Sequence, residues 1–204
     1  MQNKTIAAHP PPPVLNMLPR DLSVALLLLL ALGATLLLRG QVQNQTTAFA
    51  PADVPLTLAY PQSWSALEPI EGTLLAVEDP LTDSAFKTRF QIEARELDPA
   101  SPLDLETLVN RRIEQRSQEQ LGYQFLSSEP MNIGGVEAIA IEYAYVVQPI
   151  DEPLRFSLPV VVRTREVLAT IGTRSYLLLL SAPEHEFDAA NVQFDRILAS
   201  TRLQ

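Results

Sequence analysis

An apolar run constrains this chain more than any other feature of its sequence. Its seventeen residues, 22–38, carry no charged side chain, and Arg20 and Arg39 border the run closely. An α-helix rises about 1.5 Å per residue, so a run of this length approaches the roughly 30 Å hydrocarbon core of a bilayer. The run therefore predicts one transmembrane helix over 20–39. Its membrane-anchor residues are Leu22, Leu26, Leu29, Leu30, Gly33, Leu37 and Leu38.

The tripeptide Ala48-Phe49-Ala50 bears on whether this helix is retained. It has the small-x-small pattern that signal peptidases cut. A cleaved signal peptide has a shorter apolar core, about 7–15 residues, with the cleavage site soon after it. Here the tripeptide lies well beyond the run and precedes Pro51, whose ring and missing N–H disfavour the extended pose of a protease substrate. We therefore predict an uncut anchor, with the tripeptide in a linker.

Positive charges predict the orientation of the helix. Lys4, Arg20 and the terminal amine precede it, whereas only Arg39 follows it before Lys87. Because positive residues collect on the cytoplasmic side of a membrane helix, the N-terminus is predicted to be cytoplasmic. The chain is then a single-pass protein of the cell membrane, with the lipid bilayer as one partner and its C-terminal part extracytoplasmic.

The rest of the sequence divides into three parts. Residues 1–19 form a cytoplasmic tail, and its His-Pro-Pro-Pro-Pro run predicts a short polyproline II segment, either a stiff disordered tail or a docking site for an SH3-type domain. Residues 40–50 are mostly polar and aperiodic, which predicts a flexible stalk. Residues 51–204 are enough for one extracytoplasmic domain with its own core.

The composition of this domain excludes several classes of function. It contains 12 Lys and Arg residues against 23 Asp and Glu residues, a net charge of −11, so it repels phosphate backbones. Nucleic acid is therefore not an expected partner. The chain has no cysteine, which excludes disulfides, thiolate zinc sites, iron–sulfur clusters and covalently attached c-type haem. No cofactor is predicted.

Alternating apolar and polar residues predict a series of strands, over 54–60, 73–77, 88–97, 123–127, 136–147, 160–171 and 175–181. Gly134-Gly135 predicts a hairpin turn before the longest of them. That strand is largely apolar on both faces, and one face carries only the small residues Ala138, Ala140 and Ala144. Both faces should therefore be covered, most simply by helices.

Two amphipathic helices fit this covering role. The first begins with a capping-box-like start at Ser101 and Pro102, ends before Gly122, and has an apolar stripe of Leu105, Leu108, Val109 and Ile113. Its opposite face is predicted to be a solvated surface, with Arg111, Arg112, Glu114, Gln115 and Gln118. The second follows Pro183, with an apolar stripe of Phe187, Ala190, Phe194, Ile197 and Leu198. The predicted class is α+β, a mostly antiparallel sheet sandwiched by helices.

Several segments together resemble the PsbP-like family. They are Tyr60-Pro-Gln-Ser-Trp64, Ile133-Gly-Gly135, the run Tyr-Leu-Leu-Leu-Leu-Ser-Ala-Pro that ends at Pro183, and Phe-Asp-Arg-Ile-Leu-Ala-Ser from Phe194. The resemblance covers nearly all of residues 54–203 in order. It implies an extracytoplasmic α/β/α sandwich that binds beside a membrane complex, since the founding member is an extrinsic accessory subunit of photosystem II. The permanent anchor departs from that family pattern.

Candidates for catalysis are few. His185 has Glu184, Glu186 and Asp188 beside it, which is either a weak divalent-metal site or an acidic helix start; we favour the helix start. Glu78 and Asp79 precede a proline and indicate a turn. The sequence has no Gly-x-Ser-x-Gly elbow, phosphate-binding glycine loop or His-Glu-x-x-His motif. We predict that the protein is not an enzyme.

The aromatic pair Tyr60 and Trp64 has two interpretations. Tyrosine and tryptophan are enriched at interface hot spots, so the pair is a candidate contact surface for a partner. In the other interpretation, Pro61 ends a strand and Trp64 folds over the edge of the sheet into the core. We favour the core position.

Two functions remain after these exclusions. The first is a non-catalytic accessory subunit of a membrane-bound electron-transfer complex, respiratory or photosynthetic, which contacts other subunits through the extracytoplasmic domain. The second is a stand-alone, membrane-tethered envelope protein that binds a small ligand or a peptide.

The mature protein is expected to retain residues 1–38. Intact-mass measurement of protein extracted from membranes tests this directly. A mass that corresponds to a chain beginning at Pro51 would contradict both the anchor and the stalk.

Overall fold

The computed structural model describes residues 24–33, 45–68, 70–100, 103–148 and 158–203. The chain divides into two compact units, Met1–Val42 and Gln43–Gln204. In the first unit, helix α1 covers residues 24–33. None of the helices in the described residues has the length and apolarity needed to cross a membrane. The predicted span over 20–39 extends beyond the described residues on both sides, so the anchor stays a prediction.

The second unit contains two helices and ten strands among its described residues. They are β1 (Thr46–Phe49), β2 (Leu56–Pro61), β3 (Ser65–Ala66), β4 (Thr73–Glu78), β5 (Arg89–Glu96), α2 (Leu105–Glu119), β6 (Gln124–Ile133), β7 (Val136–Val147), β8 (Val160–Ile171), β9 (Arg174–Pro183), α3 (Glu184–Ser200) and β10 (Arg202–Leu203). Seven strands form one antiparallel sheet in the order β3-β4-β5-β9-β8-β7-β6, and a small sheet has the order β1-β2-β10. The predicted α+β class, with a mostly antiparallel sheet, is confirmed.

The two helices cover opposite faces of the large sheet. The α3 stripe that the sequence predicts is buried in full, and Phe194 has no exposed surface. It packs with Phe90 and Ile92 of β5 in the main core. On the other face, Val109 of α2 packs against Ile141 of β7 in a smaller core. Strand β9 lies between the two cores, which explains its uninterrupted leucine run: both of its faces are covered.

The start of α2 differs from the prediction. Its N-cap is Asp104, whose carboxylate accepts a hydrogen bond from the Thr107 N–H at 2.6 Å. The side-chain and backbone hydrogen bonds with Thr107 lower the pKa of Asp104 below its ordinary value. Ser101 and Pro102, which the sequence indicated as the cap and first turn, lie outside the described residues. An aspartate side chain caps a helix as well as a serine does.

Strand β1 lies in the segment that the sequence assigned to the stalk. Thr46–Phe49 pairs antiparallel with β2, with Thr46 opposite Pro61 and Phe49 opposite Leu58. Phe49 is half-buried and packs against the main core. The polar composition of 40–47 did not indicate this strand. Its hydrogen bonds come from pairing with β2, and its packing comes from a single phenylalanine. The domain therefore includes residues 46–49, and the tripeptide Ala48-Phe49-Ala50 begins within the strand.

The predicted glycine turn joins β6 to β7. Gly134 and Gly135 both have positive φ, 58° and 90°, which is the backbone of a type I′ hairpin turn. A Cβ on Gly134 would lie 2.9 Å from the backbone nitrogen of Leu203, so the end of the chain passes against this turn. Beyond the turn, β7 begins at Val136 as predicted, whereas β6 runs six residues past its predicted end at 127. Pairing with β7 continues to Ile133, and Pro130 is compatible with it because β6 is an edge strand.

Candidate functional site

An open groove lies beside α2 because one helix cannot cover a seven-stranded sheet. Strands lie about 4.8 Å apart, so this sheet is roughly 29 Å wide, whereas a helix with its side chains is about 10 Å wide. Helix α2 packs mainly on β7 and β8 and leaves a partly open strip beside it, over β5 and the adjoining side of β9. We call this strip the α2 groove, and it is lined by Glu93, Arg95, Leu108, Arg111, Arg112, Gln115, Leu168, Ser175 and Leu177.

The α2 groove has an apolar floor and a charged rim. Leu168 of β8, Leu177 of β9 and Leu108 of α2 form the floor and one wall. The cavity has a volume of about 250 Å³. A second cavity of about 390 Å³ adjoins it and shares Arg95, Leu108, Arg111 and Ser175. The second cavity falls within the usual size of ligand pockets, about 300–1,000 Å³, and the first lies just below it, so the two together suit a small molecule.

A cluster of buried charges lies beside the groove, and we call it the Glu166 cluster. Glu166 of β8 has no exposed surface. Arg112 donates from Nε to Glu166 Oε2 at 2.9 Å, and Arg116 donates from Nε and Nη2 to Oε1 at 2.9 and 2.8 Å. The Tyr143 hydroxyl donates to the same Oε1 at 2.7 Å. Two positive charges and one hydroxyl therefore compensate the burial of this carboxylate.

The Glu166 cluster joins the helix to the groove wall. Arg112 also reaches Glu93 Oε1 of β5, with Nη2 at 3.4 Å. Glu93 in turn accepts a hydrogen bond from Arg95 at 3.2 Å. Arg112 therefore lies between a fully buried carboxylate on β8 and a half-buried one on β5, and its guanidinium fixes the distance from α2 to both strands.

The Glu166 cluster is not arranged for proton transfer near neutral pH. Burial, and then the negative charge of Glu166, raises the pKa of the Tyr143 hydroxyl far above its ordinary value. Burial lowers the pKa of Arg116, but the Glu166 charge and hydrogen bond outweigh it, and the pKa is raised. Neither group therefore supplies a proton under physiological conditions. The cluster holds α2 in place.

The solvated-face prediction for the first helix is wrong at Arg112. Its side chain is only 8% exposed. A signal for this was present in the sequence, because Arg112 and Arg116 follow Val109 at intervals of three and four, on the buried stripe of the helix. Glu166 likewise has the inward parity of Val162 and Leu168 along β8. An acidic residue at an inward strand position, with arginines on an inward helix stripe, indicates an ion pair between them.

The structure describes part of the predicted anchor. Leu26, Leu29 and Leu30 lie on α1 and are exposed within their unit, and Gly33 ends the described helix. Leu22, Leu37 and Leu38 lie outside the described residues.

Other sequence candidates resolve as follows. Trp64 is buried in the main core with Tyr60 packed against it, so the core interpretation is confirmed. Asp79 accepts a hydrogen bond from the Leu81 N–H at 2.9 Å, which is turn chemistry as predicted.

His185 is 66% exposed and lies 3.4 Å from Glu186 in the first turn of α3. Within the described part of the chain, no three His, Asp or Glu side chains are grouped to hold a metal ion.

A second exposed surface lies at one edge of the large sheet. Strand β6 is ten residues long and pairs only with β7 in the described structure, whereas β3, at the opposite edge, has two residues. Leu121, in the turn before β6, is 71% exposed, and Phe125 and Leu126, at the start of the strand, are 44% and 42% exposed. We call these three residues together with strand β6 the β6 edge. Long uncovered edges template pairing with other chains, so proteins usually shorten or guard them.

A β-bulge produces the apolar part of the β6 edge. Phe125 pairs with Tyr143 and Ser127 with Glu142, so Leu126 is an extra residue without a partner on β7. The bulge interrupts the alternation of side chains and leaves two consecutive large apolar residues exposed. The sequence did not predict this surface, because regular alternation places one of Phe125 and Leu126 inward and the other outward.

No protein-family model matches the chain, and no curated protein sequence matches it significantly. Solved structures do resemble it. Cyanobacterial PsbP (CyanoP) from Synechocystis sp. PCC 6803 has a TM-score of 0.57 at 15% identity, over 78% of this chain and 92% of that one. LpqN, which is involved in cell envelope biogenesis of Mycobacterium tuberculosis, has a TM-score of 0.53 at 13% identity, over 78% and 90%.

The Ran-binding protein Mog1p of Saccharomyces cerevisiae is a third similar structure, with a TM-score of 0.52 at 10% identity, over 78% of this chain and 95% of that one. These structures match the domain over nearly their whole length. The chain therefore has a PsbP-like fold, as the resemblance implied. At such low identities the likeness establishes the fold alone.

Replacing Glu166 by glutamine should destabilise the domain by about 3–5 kcal/mol, because Arg112 and Arg116 keep their charges in a buried site that has lost its counter-charge. Urea unfolding of the full chain in mild detergent measures this change. The matched control is Glu119→Gln: Glu119 is 46% exposed and contacts Arg116 at 3.6 Å. Its effect should stay within about 0.5 kcal/mol. Equal unfolding of the two variants would contradict the structural role of Glu166.

Proposed function

We propose that this chain is a non-catalytic accessory subunit of a membrane-bound assembly, tethered by one helix and in contact with other subunits through its extracytoplasmic domain. The observation that carries the proposal is the β6 edge. Phe125 and Leu126 stand out from a ten-residue strand whose outer edge is uncovered in the described structure. Aromatic and aliphatic side chains beside open backbone hydrogen-bonding groups suit the addition of a partner strand.

The predicted tether makes a small contact surface sufficient. A domain held beside its partner in one membrane meets that partner at a high effective concentration, so a weak interface gives high occupancy. The edge surface fits this regime, because its three large apolar residues are few for an interface that assembles from free solution.

The neighbours in fold support a binding role by analogy only. Mog1p is named a Ran-binding protein, and LpqN is described by its part in cell envelope biogenesis. The likeness to CyanoP motivates the finer form of the proposal, in which the assembly is an electron-transfer complex, respiratory or photosynthetic. The acidic charge of the domain makes a nucleic acid partner unfavourable.

A catalytic role has little support among the described residues. Glu166, Arg112 and Arg116 are committed to one another, and His185 is exposed with a single carboxylate beside it. A reaction needs a nucleophile, base or metal within reach of a bound substrate. We therefore propose that the protein is not an enzyme, because the charged groups of the Glu166 cluster are paired with one another and His185 has one carboxylate neighbour.

The α2 groove favours a second candidate, a stand-alone envelope protein that binds a small ligand. The groove combines an apolar floor with a few polar groups at its rim, which is the usual composition of a ligand site. The two candidates use different faces of the domain.

Changes at the β6 edge distinguish the candidates. The double variant Phe125→Ser with Leu126→Ser removes the apolar surface at exposed positions, so the fold should be retained. Native electrophoresis after mild-detergent extraction should then show wild-type protein in a large band that carries haem or flavin absorbance, and the variant at its own mass. The matched control is Val192→Ser, an exposed residue of α3, which should migrate as wild type does.

Two results would contradict the proposal. Wild-type protein that migrates alone would leave only the stand-alone candidate. A double variant that still migrates with the large band would show that the contact lies elsewhere. A large band without redox absorbance would keep the accessory role and exclude its electron-transfer form.

A further inference from the structure

We propose that the α2 groove binds a single-chain amphiphile with a carboxylate head, such as a fatty acid. This inference rests on the second candidate function and names its ligand class. It concerns a different surface from the β6 edge, so it is tested separately from the accessory-subunit proposal.

The floor of the groove provides the apolar half of the site. Leu108, Leu168 and Leu177 face the open strip that α2 does not cover. The adjoining cavity shares Leu108 with this strip and adds Leu97 and Leu103 to the apolar lining. An apolar strip of this kind suits one acyl chain, because each CH₂ group buried against it adds to the binding free energy.

The rim of the groove provides positive charge in an otherwise acidic domain. The first cavity is lined by three arginines and one glutamate, whereas residues 51–204 carry 12 basic and 23 acidic residues. Arg111 is exposed and makes no hydrogen bond or ion pair with any described residue. Its guanidinium is therefore available to a carboxylate, which it can bind through two parallel hydrogen bonds.

Arg112 adds a fixed donor at the inner side of the groove. Its Nε and Nη2 contact carboxylates, but Nη1 donates to nothing in the described structure. The Arg112 side chain lines the groove, so this guanidinium edge is at the inner side of the cavity. Because Glu166 holds this side chain rigidly, the donor is preorganised for a ligand.

The surrounding acids favour a single negative charge on the ligand. Glu93 lies in the first cavity, and Glu96 and Asp98 line the second. A dianionic phosphate would meet these carboxylates at close range, whereas a carboxylate carries one charge for the arginines. The predicted tether keeps the groove near a bilayer, where acyl compounds are abundant.

Octanoate is the probe for the experiment, with the full chain in phosphatidylcholine nanodiscs and empty nanodiscs as the blank. Isothermal titration should show one saturable site. Arg111→Gln should weaken octanoate binding at least about tenfold, since the bidentate ion pair between the guanidinium and the carboxylate is lost. Arg111 is exposed and has no hydrogen-bond or ion-pair partner among the described residues, so the variant should fold as wild type. The control Arg196→Gln changes an exposed arginine that lines a separate cavity between β2 and α3, and it should bind as wild type does.

Ligand variants test the chemistry of the site. Octanol lacks the charge, butyrate lacks the chain, and octyl phosphate at pH 8 carries two charges; each should bind at least about tenfold more weakly than octanoate. The inference is overturned if octanoate shows no saturable binding, if Arg111→Gln leaves its affinity unchanged, or if octanol or octyl phosphate binds equally well. Failure with octanoate leaves the co-migration test of the accessory role unaffected, so the two proposals fail independently.

Discussion

The structure depends on how one buried carboxylate is neutralised. Glu166 lies on a central strand with no exposed surface, and an isolated ionised carboxylate in such a place would be prohibitively costly. Arg112 and Arg116, one helical turn apart on α2, bring two guanidinium groups to it. Apolar residues at these positions would cover the sheet equally well. They would not define where along the sheet the helix lies. The ion cluster fixes that position, and the open groove beside α2 follows from it.

Strand β8 carries charge on both of its faces and so attaches both helices. Its inward parity toward α2 presents Glu166, while the opposite parity presents Arg163 and Arg165 to α3. The Arg165 guanidinium donates to Asp195 at 2.7 Å and lies 5.7 Å from the centre of the Phe194 ring. The Arg163 guanidinium lies 4.5 Å from the Phe187 ring. Arginine suits these positions because its planar group stacks on aromatic rings and binds carboxylates together, which lysine does not.

Much of this fold could be predicted from local patterns. Strands β7 and β8 have their predicted ends, because alternation and flanking turns determine them, and the buried stripe of α3 follows from its spacing. The ion pair of Arg112 with Glu166 was missed because these two residues are 54 apart in sequence, and because a charged residue is usually exposed. Strand β1 was missed because its polar residues become a strand only when β2 pairs with it. The exposed β6 edge depends on one bulge, which no periodicity indicates.

Glu166 locks α2 onto the sheet and so keeps the adjacent groove open and preformed. Hydrogen–deuterium exchange of the full chain measures this most directly. Amides of α2 around Val109 and Arg112 should exchange as slowly as those of β8 and α3, and far more slowly than the outer amides of β6. An isolated helix of this length is marginal in water. Rapid exchange of α2 while β8 stays protected would show that the helix is not held by the cluster.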